Sequence, residues 1–401
     1  MDGGREALNP GGPAPFIYLM SMIVLLFLAP FQAQEEEWHP PGMLYLLRHQ
    51  GKDGSWGETP RTCRCADLLR PPPPGLKADE ATSRRVSNLI RELGEDRVEA
   101  RDRARQDLIE AGRGAIPQLW ESLRHRDPEI AGRCREILLE FQRGEAPREG
   151  DAATTGLAIF SIMAWGYSHL SKDTYGGICV GDALRGGIKW LQARQDTGGA
   201  FSKDPAENAI AALALMEAYG LTGSNLFKDS AIKGCVSVWQ TKSEDATFLA
   251  WKGLALNSWV MSVNPSEAPP APRYCDISEA LSRHQGDLAR AGAILFNLFD
   301  RRGGGGPDLD RMCSLNWQGI DPLTFYLASW AVRESNDSKR WKDWRERMKD
   351  ALLWGREGDP WRCEHDSWGA EGMRGRSRLT AMRSLTSYLL VQRHCIFHGK
   401  P

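Results

Sequence analysis

The sequence predicts an all-α repeat fold, on three observations. Apolar residues recur at helical spacing along most of the chain, while strand-type alternation is weak throughout. Short Gly- and Pro-rich stretches punctuate those patterns. Two segments also repeat one motif: Gln50-Gly51-Lys52-Asp53-Gly54-Ser55-Trp56 and Gln195-Asp196-Thr197-Gly198-Gly199-Ala200-Phe201. Each has Gln, then Gly four positions on, then a large aromatic two further, and each follows an apolar helix end at Leu44–His49 or Ile188–Arg194. A helix-then-turn unit of this kind cannot bury its apolar face alone and must stack on neighbours.

Taken in order, the chain opens with Phe16 to Ala29, an uncharged apolar run (FIYLMSMIVLLFLA). A membrane span needs about 20 residues, so this one suits the apolar core of a secretory signal over residues 1–34. An uncleaved membrane anchor through 16–29 and a cytoplasmic chain are the alternatives. Residues 35–70 hold the first repeat unit, and Pro71–Gly75 is a stiff linker. Between 76 and 146 the composition turns to Arg and Glu alternating with apolar residues. Val86/Leu89/Ile90/Leu93, Ala100/Ala104/Leu108/Ala111, Ile116/Leu119/Trp120/Leu123 and Ile130/Cys134/Ile137/Leu138/Phe141 form four helical stripes. Gly94 and Gly112 end the first two, and Asp127-Pro128 starts the fourth. A polar run at Pro147–Asp151 leads into the main body, 152–396. Helices are expected there near 155–169, 181–195, 206–219, 226–240, 246–262, 277–299, 320–335, 339–355 and 376–394. Arg302–Pro307, with four Gly, resembles a phosphate loop only in composition and reads as a flexible loop, because no Lys-Ser/Thr follows it and no strand precedes it.

Charge and cysteine content narrow the function. The 51 Lys+Arg nearly balance the 52 Asp+Glu, and residues 80–143 hold 13 of each, so nothing points to nucleic acid as a partner. The nine Cys are scattered, far too sparse for a disulfide scaffold, and read mostly as small buried side chains. Cys63-Arg64-Cys65 invites zinc, but no second close Cys or His pair stands near it. There is no Gly-x-Ser-x-Gly elbow.

The Gln50/Gly54/Trp56 and Gln195/Gly199/Phe201 units resemble the QW-type repeats of squalene cyclases and related prenyltransferases. In such a turn the Gly permits a tight bend, the ring packs back on the helix end and the Gln amide satisfies free backbone groups there. Three further stretches carry the resemblance: Ala209–Ser224; Asp245–Ser258; and Trp341, Trp344 and Leu352 followed by Asp366-Ser367-Trp368-Gly369 and a last helix from Arg376. The resemblance implies an α/α-toroid, a ring of inner and outer helices around a cavity, over residues 38–66 and 154–395. It specifies fold well and activity poorly. The stretch Leu93–Arg133 is similar to HEAT repeats, which implies a small α-α superhelical insert between the first and second toroid units.

The chemistry of the resembled families is not evident. Their cyclases use an Asp-x-Asp-Asp acid, which needs clustered carboxylates in a water-poor cavity. Here the nearest string is Asp308-Leu309-Asp310-Arg311, beside the Gly-rich loop. Prenyltransferases bind zinc through Asp, Cys and His, and Cys275-Asp276 with His284 has the types without the spacing. Many exported toroid relatives carry a His before the Ala-Ile-Ala helix, where this chain has Asn208. Asp245, Trp251, Tyr326 and Trp330, with Trp317, are the candidate cavity-lining residues. Their plainer reading is a helix-start charge for Asp245 and core packing for the rings. Arg374 and Arg376 offer an anion contact or a solvated pair. Catalytic residues are unassigned, and no cofactor or metal is expected. The expectation is an exported, bacterial-type toroid scaffold of the cell envelope that binds another protein or an apolar small molecule. An isoprenoid cyclase or prenyltransferase and an apolar-lipid carrier are the rivals.

Overall fold

The computed structural model describes residues 39–57, 72, 76, 78–142, 150–263, 274–300, 306–316, 320–353, 356, 358, 365–369 and 375–391. Packing divides the chain into 1–39 and 40–401, and of the first only His39 is described. The described residues of the second are mostly helical: α1 (Met43–Arg48), α2 (Glu80–Glu92), α3 (Val98–Ala111), α4 (Ile116–Glu121), α5 (Pro128–Gln142), α6 (Ala152–Ala164), α7 (Val180–Arg194), α8 (Pro205–Thr222), α9 (Asn225–Gln240), α10 (Ala246–Ser262), α11 (Tyr274–Ser282), α12 (Asp287–Phe299), α13 (Gly306–Ser314), α14 (Pro322–Glu334), α15 (Ser338–Leu353) and α16 (Arg376–Val391).

Two separate apolar cores form. One is built from α2 to α5, where Val86, Leu93, Ala104, Leu108, Leu119, Cys134, Ile137 and Leu138 are fully enclosed. These are the side chains of the four sequence stripes, and a stripe of this width buries one face only. The other core joins α1 with α6 to α16. Its even-numbered helices α6, α8, α10, α12, α14 and α16 pack each on the next, and α16 packs back on α6. The odd-numbered helices α7, α9, α11, α13 and α15 each touch one or two members of that series, and α1 packs on α16. Composition follows position. Every residue of α6 is buried, as are eleven consecutive residues of α8, while α7 and α9 bury one face. A helix buried all round is apolar all round, which is why periodicity was weakest in α6, α8 and α10.

The structure corrects the sequence reading in places. The expected helix 277–299 is two, α11 and α12, because Gly286 at φ +109° breaks it. Asp308 and Asp310 belong to helix α13, which begins at Gly306, and not to a loop; both are exposed, and Asp310 pairs with Arg340 at 2.7 Å. A short hairpin, β1 (Thr174–Tyr175) with β2 (Ile178–Cys179), was not expected. Gly176-Gly177, both at positive φ, make its turn, which is the signal a two-residue hairpin loop leaves in sequence. Residues 16–29, the linker at 71–75 apart from Pro72, Cys63, Cys65, Trp317 and Arg374 lie outside the described residues. Among the described residues no helix is long and apolar enough to cross a membrane.

Candidate functional site

The two repeated turns are built alike. Gln50 Nε2 donates to Gly54 O at 2.8 Å and to Ala183 O of α7 at 2.7 Å. Gln195 Nε2 donates to Gly199 O at 3.0 Å and to Ser230 O of α9 at 2.9 Å. Gly54 and Gly199 both sit in left-handed backbone, at φ +91° and +92°. The Trp56 ring lies against Gly187 and the Phe201 ring against Gly234, positions where a β-carbon would collide with the ring at 2.7 Å. The aromatic residue's own N–H is bound by the helix that follows: Trp56 N donates to Thr155 Oγ1 at 3.0 Å, and Phe201 N to Asn208 Oδ1 at 2.8 Å. Asn208 therefore fixes the second turn, with its Nδ2 donating to Ser237 Oγ at 3.2 Å.

These turns deliver the helix starts to one end of the main core. Asp151, Asp204, Asp245 and Asp321 cap α6, α8, α10 and α14, each accepting from the backbone N–H three residues on, at 2.6–2.9 Å. A carboxylate at that position satisfies an orphan donor and complements the helix dipole. Arg378 near the start of α16 ties this rim together. It donates to Thr154 Oγ1 at 3.3 Å and pairs with Asp151 at 3.2 Å and Glu207 at 3.8 Å.

Beside the rim lies a cavity of about 1050 Å³. Residues from α6, α10, α12, α14 and α16 line it, together with Trp368 and Gly369. Its walls are mainly apolar, with Leu157, Trp251, Leu288, Leu323, Leu379 and Met382 contributing. Asp321, Thr247, Thr324, Arg378 and Arg383 are the polar side chains on it. The volume sits at the upper end of the range for small-molecule pockets, roughly 300–1,000 Å³.

Of the candidates read from sequence, Trp251 lines this cavity. Asp245 caps α10 next to it, two residues before the lining Thr247, and does not itself line it. Tyr326 and Trp330 are not lining residues either. They lie one and two turns deeper along α14, both only 1 % exposed, with Trp330 edge-on to Phe299 at 5.3 Å. Arg376 is buried and donates to Ser367 Oγ at 3.0 Å. Cys275 is buried while Asp276 beside it is exposed. Among the described residues no three His, Cys, Asp or Glu side chains converge as a metal site would require. Residues missed from sequence include Arg378, Arg383 and Asp321. The Asp-Pro start shared by Asp204-Pro205 and Asp321-Pro322 was the available signal for the last.

Two carboxylates are buried away from the cavity lining. Asp366 accepts from Gly42 N at 2.9 Å and Leu44 N at 3.0 Å and pairs with Arg356 at 2.6 Å. Glu217, on α8, faces Cys235 of α9, and burial raises its carboxyl to about 7. No family model matches the chain, and comparison with curated proteins and with solved structures likewise found no match.

Proposed function

We propose that this chain is an α/α-toroid repeat protein of the squalene-cyclase and prenyltransferase type that holds an apolar small molecule at its centre without transforming it. The observation that carries the reading is the large, mainly apolar cavity beside the helix starts. The cyclic packing of α6, α8, α10, α12, α14 and α16 supports the ring. Enclosure of an apolar body in such a space is favoured at about 25 cal/mol per Å² of apolar surface removed from water. Binding over chemistry is supported by the commitments of the polar groups around it. Asp151, Asp204, Asp245 and Asp321 each cap a helix, and Arg378 is paired at the rim. The segment α2 to α5 is read as a HEAT-like insert presenting a second, charged surface to a protein partner. The apolar run at 16–29 supports export to the cell envelope.

The test is extraction of the purified full chain with organic solvent, followed by mass spectrometry, alongside titration with a fluorescent apolar probe. A stoichiometric apolar compound, or saturable probe binding displaced by long-chain alcohols, is expected. Turnover of an isoprenoid substrate, or no saturable binding, refutes the reading.

A further inference from the structure

Arg383 stands on the cavity wall in a setting a structural arginine does not need. It is only 7 % exposed and lines the cavity beside Leu379 and Met382. Its Nη1 donates to Ala351 O of α15 at 3.2 Å, and the guanidinium lies 5.3 Å from the centre of the Phe325 ring. Among the described residues its Nε has no hydrogen-bond partner and no carboxylate lies within ion-pair distance of it. The other charges on the cavity are engaged: Arg378 with Asp151 and Glu207, Asp321 with the backbone and hydroxyl of Thr324 at 2.8 and 3.0 Å. A guanidinium stays protonated when buried, and a buried charge without a counter-charge is costly.

We propose that the cavity ligand is a long-chain monocarboxylate whose head pairs with Arg383 while its chain fills the apolar space. This rests on the binding function proposed above and specifies its ligand class. The planar fork of an arginine matches a carboxylate in two parallel hydrogen bonds. A single uncompensated guanidinium, with Asp321 also on the cavity, suits one negative charge better than two.

The experiment compares dodecanoate, its methyl ester and dodecanol on the full chain by displacement of a fluorescent apolar probe at neutral pH. Dodecanoate is expected to bind about tenfold or more tighter than either neutral analogue, as a charge-assisted pair implies. Arg383→Gln, which keeps a donor for the Ala351 carbonyl, should erase that preference and leave dodecanol affinity within about twofold. Arg340→Gln, at the pair with exposed Asp310 outside the cavity lining, should retain it. If Arg383→Gln does not fold, Arg383→Lys decides: a preference cut at least about threefold supports the fork, and an undiminished one overturns it. Equal binding of all three molecules overturns the carboxylate site and leaves the apolar-binding function standing. Binding of none overturns that function, and the carboxylate site with it.

Discussion

Gly199→Ala tests the repeated turn most directly. Gly199 has φ +92°, where an L side chain costs roughly 1–2 kcal/mol. Space is the second penalty. A β-carbon on Gly54 would lie 2.5 Å from the carbonyl carbon and oxygen of Gly186, and one on Gly199 as near to the Lys233 carbonyl. Ordinary contact begins near 3.4 Å, so the turn must back away from the helix by close to an ångström. That retreat strains the two Gln195 Nε2 bonds, at 3.0 and 2.9 Å, and the seat of Phe201 on Gly234. Overpacking adds about 1–3 kcal/mol, giving a total loss of about 3 kcal/mol. Gly223→Ala is the control, since Gly223 is also left-handed, at φ +62°, but nothing lies within 4 Å of its β-carbon. It should cost about 1 kcal/mol. Urea unfolding followed by tryptophan fluorescence measures both. A Gly199→Ala loss no larger than that of Gly223→Ala would show that the close approach does not hold the turn.

Three other outcomes are expected. Glu217 titrates near 7 in the folded chain against an ordinary 4.5, so between those values the folded state holds a proton that the unfolded state has released. Its contribution is therefore full below about 4.5 and declines as pH rises toward 7. The total is up to about 3 kcal/mol at 1.36 kcal/mol per pH unit. Glu217→Gln should flatten that slope in urea unfolding from pH 4.5 to 8, and an unchanged slope assigns it elsewhere. Asp366→Asn should cost about 2 kcal/mol, because one of two buried backbone donors and the charge toward Arg356 lose their acceptor; a loss under about 0.5 kcal/mol, the level of a neutral surface change, refutes its bridging role. Joining Gly57 to Gly150 should leave a cooperatively unfolding remainder, since Asp151 N already donates to Trp56 O at 3.1 Å and the two ends of the excised stretch are neighbours; a non-cooperative transition by circular dichroism would show that the two cores depend on each other.

Legibility in the sequence tracked how each feature is written. The four stripes from Val86 to Phe141 are surface helices with one buried face, so periodicity located them and their core side chains together. Helices α6, α8 and α10 lack that periodicity because they are buried on most sides, and of their starting carboxylates only Asp245 is legible as a helix-start charge. The cavity was far less legible. Whether a side chain lines it depends on height along a helix, which separates Leu323 from Trp330 on the same element. Arg383 left no local signal either, since an arginine within an amphipathic-looking run is ordinarily a solvated one.

A third turn joins the start of α16 to α1. Trp368 N donates to Thr380 Oγ1 at 3.1 Å, and Trp368 Nε1 to Leu352 O at 2.6 Å, as Trp56 Nε1 does to Leu46 O at 2.7 Å. Its ring lies against Gly42, as Trp56 lies against Gly187 and Phe201 against Gly234. The partner helix of this turn is therefore α1, the first among the described residues. Here the bridging side chain changes from amide to carboxylate for a physical reason. Gln50 and Gln195 meet the flanks of α7 and α9, which present carbonyl oxygens and call for a donor. Asp366 meets the start of α1, which presents the free N–H groups of Gly42 and Leu44 and calls for an acceptor. Gln-to-carbonyl and Asp-to-amide are thus two solutions to one problem, fastening a turn to the next helix. The second occurs where the turn binds the beginning of α1 instead of a helix flank.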